Sequence, residues 1–312
     1  MSTSYVLART VEEAVAAMAG GARPIAGGTD LVVGARHGKA PLPAALVGIH
    51  RIPELAVIAP MDERGRGSGG LRIGTLVTHA TIALDPAVNA RFTGLADASA
   101  IVGSQATRAN GTLGGNVMNA SPAMDTGAPL LCHGAVAELH GPRGVRRLGL
   151  DALWTGPGRT AAGPEELLVG IELPDPPCAD GIATGSAYVR LQYRRQMEIA
   201  VVGAAAVVTL SAGEISEARV AVTAVAPTIR RVPAAEDALL GAAATPDDAE
   251  AAGRAAGALA ALAAEPISDV RGSADYRRAM TAVVTRRAII AAVARARGER
   301  ITVPASDSTW GN

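Results

Sequence analysis

The chain has 312 residues, 49% of them hydrophobic and 19% charged, with 29 Lys and Arg against 29 Asp and Glu. That neutrality excludes the electrostatic footprint of a nucleic-acid or anionic-membrane binder, and one Phe, two Trp and four Tyr are too few rings for a base-stacking platform. The two cysteines, Cys132 and Cys178, fall short of the roughly four thiolates that hold an iron–sulfur cluster and of any disulfide framework, so both are read as idle thiols.

The start, MSTSYVLARTVEEA, has no basic stretch followed by an apolar one, so no secretory signal is expected. Thr10 then caps a helix expected over 11–19, with acids in its first turn and glycines at its stop. RPIA at 23–26 reads as a short strand, GGTD as a turn, LVVGARHG as a second helix and ALVGIHRI at 45–52 as another strand. DERGRGSGG at 62–70 reads as a hairpin loop, followed by LRIGTLVT as a strand. Thr78 is placed to cap a helix over 79–84, residues 87–102 read as one further helix, and PLLCHGAVAELHG reads as a helix turning into a strand.

Proline-rich ELPDPPCADG at 172–181 marks a domain boundary. Beyond it TGSAYVRLQYRR, AVVGAAAVVTL and ISEARVAVTAV read as antiparallel strands, the last two joined by a short turn. Two helical segments close the chain. In the last, about 274–297, Met280, Val284, Ala288 and Ala291 share one face and arginines populate the other. The apolar run at 200–210 is well short of the roughly 18–20 residues of a bilayer span, so no membrane span and a cytoplasmic location are expected.

Two small-residue segments carry the chemistry. In IAGGTDL, residues 25–31, glycines after a strand allow a sharp turn and close approach of a ligand to the main chain, with a helix start that suits phosphate oxygens; a plain strand–helix turn has the same composition. In ANGTLGGNVMNASPAMD, residues 109–125, Gly111, Gly114 and Gly115 keep bulk away while Thr112, Asn116 and Ser121 offer hydrogen-bonding groups beside exposed amides. Asp125, nine residues after Asn116, is a carboxylate suited to sugar or polyol hydroxyls, and Pro122 stiffens the connection; the alternative is a structural loop with an Asx-turn and a helix cap, which two glycine loops of different chemistry in one segment weigh against.

Other motifs are absent. IAGGTDL is not the G-x-G-x-x-G fingerprint, GARHGKA at 34–40 is one residue short of a P-loop, and Ala40 lacks the hydroxyl that would hold magnesium, so Lys39 is read as a solvated charge. His37, His50, His79, His133 and His140 lack zinc spacing, and there is no G-x-S-x-G elbow. Glu12/Glu13 and Glu165/Glu166 are assigned to helix starts, and Arg194 and Arg195 with Glu198 to a solvated, salt-bridged face, with a subunit contact as the alternative.

PIAGGTDL at Pro24–Leu31, GTLGGN at Gly111–Asn116 and SPAMD at Ser121–Asp125 together resemble the flavin-binding subunit of the molybdenum hydroxylases, the xanthine dehydrogenase and carbon monoxide dehydrogenase group. The resemblance continues in EELLVGIELP at 165–174 and SAYVRLQYRRQMEIAVVGAAA at 186–206. It implies an α+β chain: a two-lobed FAD-binding domain of the vanillyl-alcohol-oxidase type, with lobes at 1–57 and 58–176, an α+β C-terminal domain of antiparallel strands and helices at 177–300, and a tail at 301–312.

By that resemblance the main chain of Pro24, Ile25, Ala26, Gly27, Gly28, Thr29, Asp30 and Leu31 and of Gly111, Thr112, Leu113, Gly114 and Gly115 would hold the FAD pyrophosphate, with Asn116 and Ser121 beside it. Asp125 would take ribityl or adenosine hydroxyls, backbone near Leu168 would lie by the adenine, and Ile101 would pack on the cofactor. Arg190 would stand near the isoalloxazine ring, stabilising its anionic reduced form, with an exposed strand charge as the alternative; Tyr193 would shield the ring. The implied role is electron transfer: substrate is oxidised at molybdenum on a molybdopterin large subunit, a [2Fe–2S] small subunit delivers the electrons, and this chain passes them through FAD to an acceptor within a hetero-oligomer.

No general acid or base is required of the chain. Members with an additional cluster carry cysteines in an inserted loop, and 60–70 has none, so that cluster is expected to be absent. A self-contained flavin oxidase or dehydrogenase would need a substrate pocket and a base over the ring; a nucleotide-binding module without catalysis is a third reading. The oxidised substrate stays open among purines, aromatic heterocycles, aldehydes and carbon monoxide, as does the final acceptor.

Overall fold

The computed structural model describes residues 3–38, 40–61 and 69–309, so Lys39 and most of the hairpin loop expected at 62–70 lie outside the described residues. At the N-terminus, β1 (Ser4–Leu7), α1 (Val11–Ala19), β2 (Arg23–Ile25), α2 (Leu31–Arg36) and β3 (Ala45–Gly48) build a parallel sheet of order β1-β3-β2. Helix α1 starts where expected: the Thr10 hydroxyl accepts from the Glu13 amide at 3.2 Å and the Glu13 carboxylate from the Arg9 amide at 2.7 Å. Its Val11, Ala14, Val15 and Met18 recur at helical spacing and are buried against Ile49, Leu55 and Val169.

The chain then runs through β4 (Ile58–Pro60), β5 (Gly70–Gly74), α3 (His79–Leu84), α4 (Pro86–Arg91), α5 (Thr93–Ala100), α6 (Gln105–Asn110), α7 (Leu113–Asn119) and α8 (Gly127–Cys132). It continues with β6 (Val136–Gly141), β7 (Gly144–Gly149), α9 (Leu150–Leu153), the small β8 (Trp154–Gly156) and β9 (Arg159–Thr160) hairpin, and β10 (Leu167–Pro174). An antiparallel sheet of order β4-β5-β10-β6-β7 results. The helix expected over 87–102 is two helices, because the chain bends at Phe92 (φ −130°, ψ 44°) to bury that ring and Leu95 completely. Asp85 caps the first, and the Gly94 amide at the second's start donates to Ser186 Oγ at 2.9 Å. Glu165 and Glu166 do not start a helix; they lie in the turn before β10, where Glu166 pairs with Arg146 at 2.6 Å.

The C-terminal half is an antiparallel sheet, β11 (Ile182–Leu191), β12 (Val202–Ser211), β13 (Glu214–Thr223) and β14 (Arg230–Arg231), followed by α10 (Pro233–Asp237), α11 (Pro246–Ala263), α12 (Ala274–Ala296) and α13 (Ala305–Thr309). The β12–β13 turn has Ala212 at φ 51° and Gly213 at φ 81°, the paired positive angles that match the twist of a two-residue hairpin. Val284, Ala288 and Ala291 of α12 are buried on the sheet as expected, but two of its arginines point inward as well. Arg295 grips the fully buried Asp97 of α5 with both terminal nitrogens, at 2.6 and 2.9 Å, and Asp97 also accepts from the Tyr188 and Ala305 amides. Arg277 donates to the carbonyls of Val201 and Ala224. Residues 301–309 are correspondingly not a loose tail: Ala305 and Ser306 are buried, and Ser306 Oγ accepts from the Arg190 amide at 3.0 Å.

Beneath this junction the His133 ring stands edge-on to Phe92, with centroids 5.0 Å apart. Burial, reinforced by the Arg219 guanidinium, pushes His133 from the usual 6.5 down to about 3. The unfolded chain therefore binds a proton that the folded chain refuses between those values, and stability drops as pH falls from about 6.5 toward 3. Asp97 and Asp125, raised by burial, act in the opposite sense, so the contrast lies between variants. His133→Gln is expected to melt with a shallower acid slope than wild type below pH 6.5, read by calorimetry; equal slopes would show that His133 takes up its proton in the folded state.

Candidate cofactor site

The two glycine segments meet. The first, Ala26–Asp30, turns between β2 and α2; the second follows α6 and leads into α7. A side-chain carbon built on Gly27 would fall 1.8 Å from the Asn110 carbonyl oxygen, so the main chains of the two loops lie directly on each other. Gly28 sits at φ 69°, open only to a residue without a Cβ penalty. A carbon on Gly111 would lie 3.5 Å from Thr29 Oγ1, a second contact across the junction. Gly114 is pressed on β5's continuation, where an added carbon would meet Thr75 Oγ1 at 1.6 Å.

Hydrogen bonding separates the roles of the loops. Among the described residues, no acceptor takes the amides of Ala26, Gly27, Gly28 or Thr29. In the second loop the amides are used internally: Gly111 donates to Thr107 O, Leu113 to Val77 O at 2.9 Å, Gly114 to Thr75 O at 3.0 Å, Gly115 to Thr112 Oγ1 and Asn116 to Thr112 O. Of the amides expected beside Thr112, those of Leu113, Gly114, Gly115 and Asn116 are taken, and among the described residues only that of Thr112 itself, which is buried, has no acceptor. Asn116 Oδ1 accepts from Thr126 Oγ1 at 2.6 Å, and Ser121 Oγ accepts from the Ala123 amide. The first loop is the free donor surface, and the second is its buttress.

Asp125 is 7% exposed and already engaged. The Tyr188 hydroxyl donates to Oδ1 and Arg190 Nη1 donates to Oδ2, each at 2.7 Å. Arg190 is not a surface charge on its strand; its residue is fully buried, and Nε donates to Gln192 Oε1 at 3.1 Å. Burial pushes the Asp125 carboxyl above the usual carboxylate range against the pull of Arg190, and it lifts the Tyr188 phenol as well. The segment after β11 folds back over α6: the Met197 amide, at φ 54°, donates to the Gly103 carbonyl, and Thr107 Oγ1 donates to Met197 Sδ. Arg194, which is exposed, pairs at 3.6 Å with Glu198, whose side chain is only 10% exposed.

Of the remaining anticipated residues, Ile101 and Leu168 are buried in the core of the second sheet, and Leu168 adjoins a β-bulge beside Val169, whose carbonyl receives the Thr75 amide. Tyr193 is 61% exposed and its hydroxyl donates to Arg271 O at 2.6 Å. Two residues near the junction were not singled out. His79 packs beside Gly111 and is held down at about 4 by burial and by Arg108. Arg108 closes α6 and donates to Val102 O at 3.1 Å. Arg-Ala-Asn directly before GTLGGN was the available sequence signal for it. Cys132 is buried and its thiol is pushed up by that burial, while Cys178 is exposed and free. Among the described residues there is no cluster of three metal-ligating side chains and no helix long and apolar enough to cross a membrane.

A sharp loop of unpaired amides braced by a second glycine loop, in a two-lobed α+β unit with an antiparallel-sheet domain behind it, is the build of a protein that holds an extended, diphosphate-containing cofactor. Comparison with known proteins gives that class its family. The profile of the FAD binding domain in molybdopterin dehydrogenase matches residues 1–176, and that of the CO dehydrogenase flavoprotein C-terminal domain matches residues 187–292. The chain is 31% identical over 298 residues to the xanthine dehydrogenase FAD-binding subunit of Escherichia coli O157:H7, covering 95% of this chain and 98% of that one. It is 36% identical over 277 residues to the carbon monoxide dehydrogenase medium chain of Afipia carboxidovorans, covering 88% and 90%. A chain in the structure of carbon monoxide dehydrogenase from Hydrogenophaga pseudoflava superposes with a TM-score of 0.85 at 35% identity, over 95% of this chain and 99% of that one. The protein belongs to the FAD-binding, medium-chain subunits of the molybdenum hydroxylases, and its cofactor is FAD.

Proposed function

We propose that the chain is the electron-outlet subunit of a molybdenum-containing dehydrogenase, working beside a [2Fe–2S] small subunit and a molybdopterin large subunit. The junction of Gly27 with Asn110 supports this reading, because it sets the loop whose amides at residues 26–29 lack acceptors directly against the second glycine loop. The full-length similarity to subunits named as medium chains supports the multi-subunit setting. When bound, FAD supplies the chemistry that joins single-electron delivery to two-electron release.

The protein's own part is to bind and orient. The amides of Ala26, Gly27, Gly28 and Thr29 would take diphosphate oxygens, with Pro24, Ile25, Asp30 and Leu31 shaping the turn. The Gly111–Asn116 segment would hold that loop at its working distance rather than donate many amides itself. The lone pairs that Asp125 keeps after serving Tyr188 and Arg190 would accept a cofactor hydroxyl, and Ile101, Leu168 and Tyr193 would line the cleft.

The purified chain is expected to be yellow and to stay oxidised with purines, aldehydes or aromatic heterocycles, then to bleach when the iron–sulfur and molybdenum subunits are added with their substrate. Bleaching by a small substrate with the chain alone would make it a self-contained dehydrogenase. Failure to take up FAD at all would remove the cofactor reading.

A further inference from the structure

Beside the two loops, one strong cation has no carboxylate partner among the described residues. Asp125 answers Arg190 at 2.7 Å, Asp97 answers Arg295, and His79 is held neutral by burial. Arg108 pairs with no acid among the described residues; its guanidinium donates only to the Val102 carbonyl and is partly withdrawn from solvent. Burial and the nearby Arg190 both work against its charge, the direction expected of a cation that lacks its counter-ion. The one acid at the loops, Asp30, is exposed and not without a partner of its own.

Arg108 stands on the last turn of α6, two residues before the carbonyl on which Gly27 rests. Its charge acts on His79, and a carbon built on Gly111 would lie 3.5 Å from both His79 Cδ2 and Thr29 Oγ1, which brings Arg108 beside the loop whose four amides lack acceptors. Oxidised FAD carries its negative charge on the diphosphate alone, and a guanidinium matches phosphate oxygens with a planar fork of donors. A half-buried, uncompensated arginine beside unpaired amides is completed by that group.

We propose that Arg108 is a cofactor-binding residue whose guanidinium supplies the counter-charge to the FAD diphosphate at the junction of the two loops. The assignment rests on the FAD reading above and adds to it a side chain that the glycine motifs do not include. It also gives the seam a charged contact as well as dipolar ones, and so a dependence on salt.

The test uses the whole chain stripped of flavin and titrated with FAD, ADP and riboflavin. The R108Q variant is expected to bind both FAD and ADP more weakly by roughly tenfold to a hundredfold, the size of one charge-assisted hydrogen bond, and to lose part of the salt dependence of both. Riboflavin, which lacks the diphosphate, should bind R108Q as it binds wild type, and R108K should fall between the two. Substitution removes one hydrogen bond, to Val102 O, and R108M, which keeps the stem, repeats the comparison if R108Q melts early. Unchanged FAD and ADP affinity in R108Q overturns the proposal, as does a loss confined to FAD and riboflavin, which would place the charge against the ring. A wild-type chain that binds neither FAD nor ADP overturns the FAD reading itself, and this assignment with it.

Discussion

Gly27→Ala is expected to cost the protein its cofactor while leaving most of the fold in place. The added methyl would sit 1.8 Å from the Asn110 oxygen and 2.7 Å from its carbonyl carbon, and both are main-chain atoms that no rotamer change can move aside. The loops must part. Overpacking of this kind costs on the order of 1–3 kcal/mol, and Gly27 is exposed in the turn after β2, so the strain is relieved by the loop moving rather than by the core. Amides displaced by even a fraction of an ångström lose their alignment on phosphate oxygens, since hydrogen bonds weaken steeply off axis. If the strain falls on the cofactor-bound arrangement, FAD affinity drops roughly tenfold to a hundredfold.

Gly34→Ala is the matched control. No atom lies within 4 Å of its added carbon, and it sits inside α2, where alanine is the better helix former. Titration of the stripped chains with FAD should separate the two substitutions clearly. Equal affinities would mean that the seam between Gly27 and Asn110 has nothing to do with holding the cofactor.

What could be read in advance follows the range of the interaction that decides each feature. The starts of α1 and α3 were legible because Thr10 and Thr78 cap them from one residue away, and the β12–β13 turn because Ala212-Gly213 carries its own angles. The break at Phe92 was not, since only the distant sheet and helices that bury the ring make a bend favourable there. Helical periodicity assigned the arginines of α12 to solvent, yet the alanines around them leave room that Arg277 and Arg295 fill, with Asp97 reaching in from nearly two hundred residues upstream. In the site, the positions of both loops could be read, but not their division of labour. The acceptors that consume the amides of Leu113 and Gly114 are the carbonyls of Val77 and Thr75, far from GTLGGN in sequence. Arg190 could be read as a cation near the flavin ring or as a strand charge, but not as the partner of Asp125 that β11 makes it.

That last pair sets the other large effect, and it is asymmetric. Asp125→Asn keeps an oxygen for the Tyr188 hydroxyl but takes away the carboxylate that faces the fully buried Arg190, and an arginine cannot give up its proton to escape. Removing one partner of a buried pair costs about 3–5 kcal/mol, and at roughly 2–4 °C per kcal/mol for larger domains the melting temperature should fall by about 6 °C or more. Arg190→Met leaves Asp125, whose carboxyl is already raised by burial and can take up a proton instead. Its loss should be smaller. It should also shrink as pH is lowered, because an acid with a folded pKa above its unfolded 3.8 stabilises most below that value and loses the contribution as pH rises through the folded one. Asp125→Asn, with nothing there to titrate, should keep its deficit across the same range. Since Asp125 already opposes most of the Arg190 charge, Arg190→Met should move the flavin potential less than an isolated cation would. A variant that melts like wild type yet shifts the potential strongly would show that the guanidinium faces the ring alone, with Asp125 serving the cofactor's hydroxyls instead of the arginine.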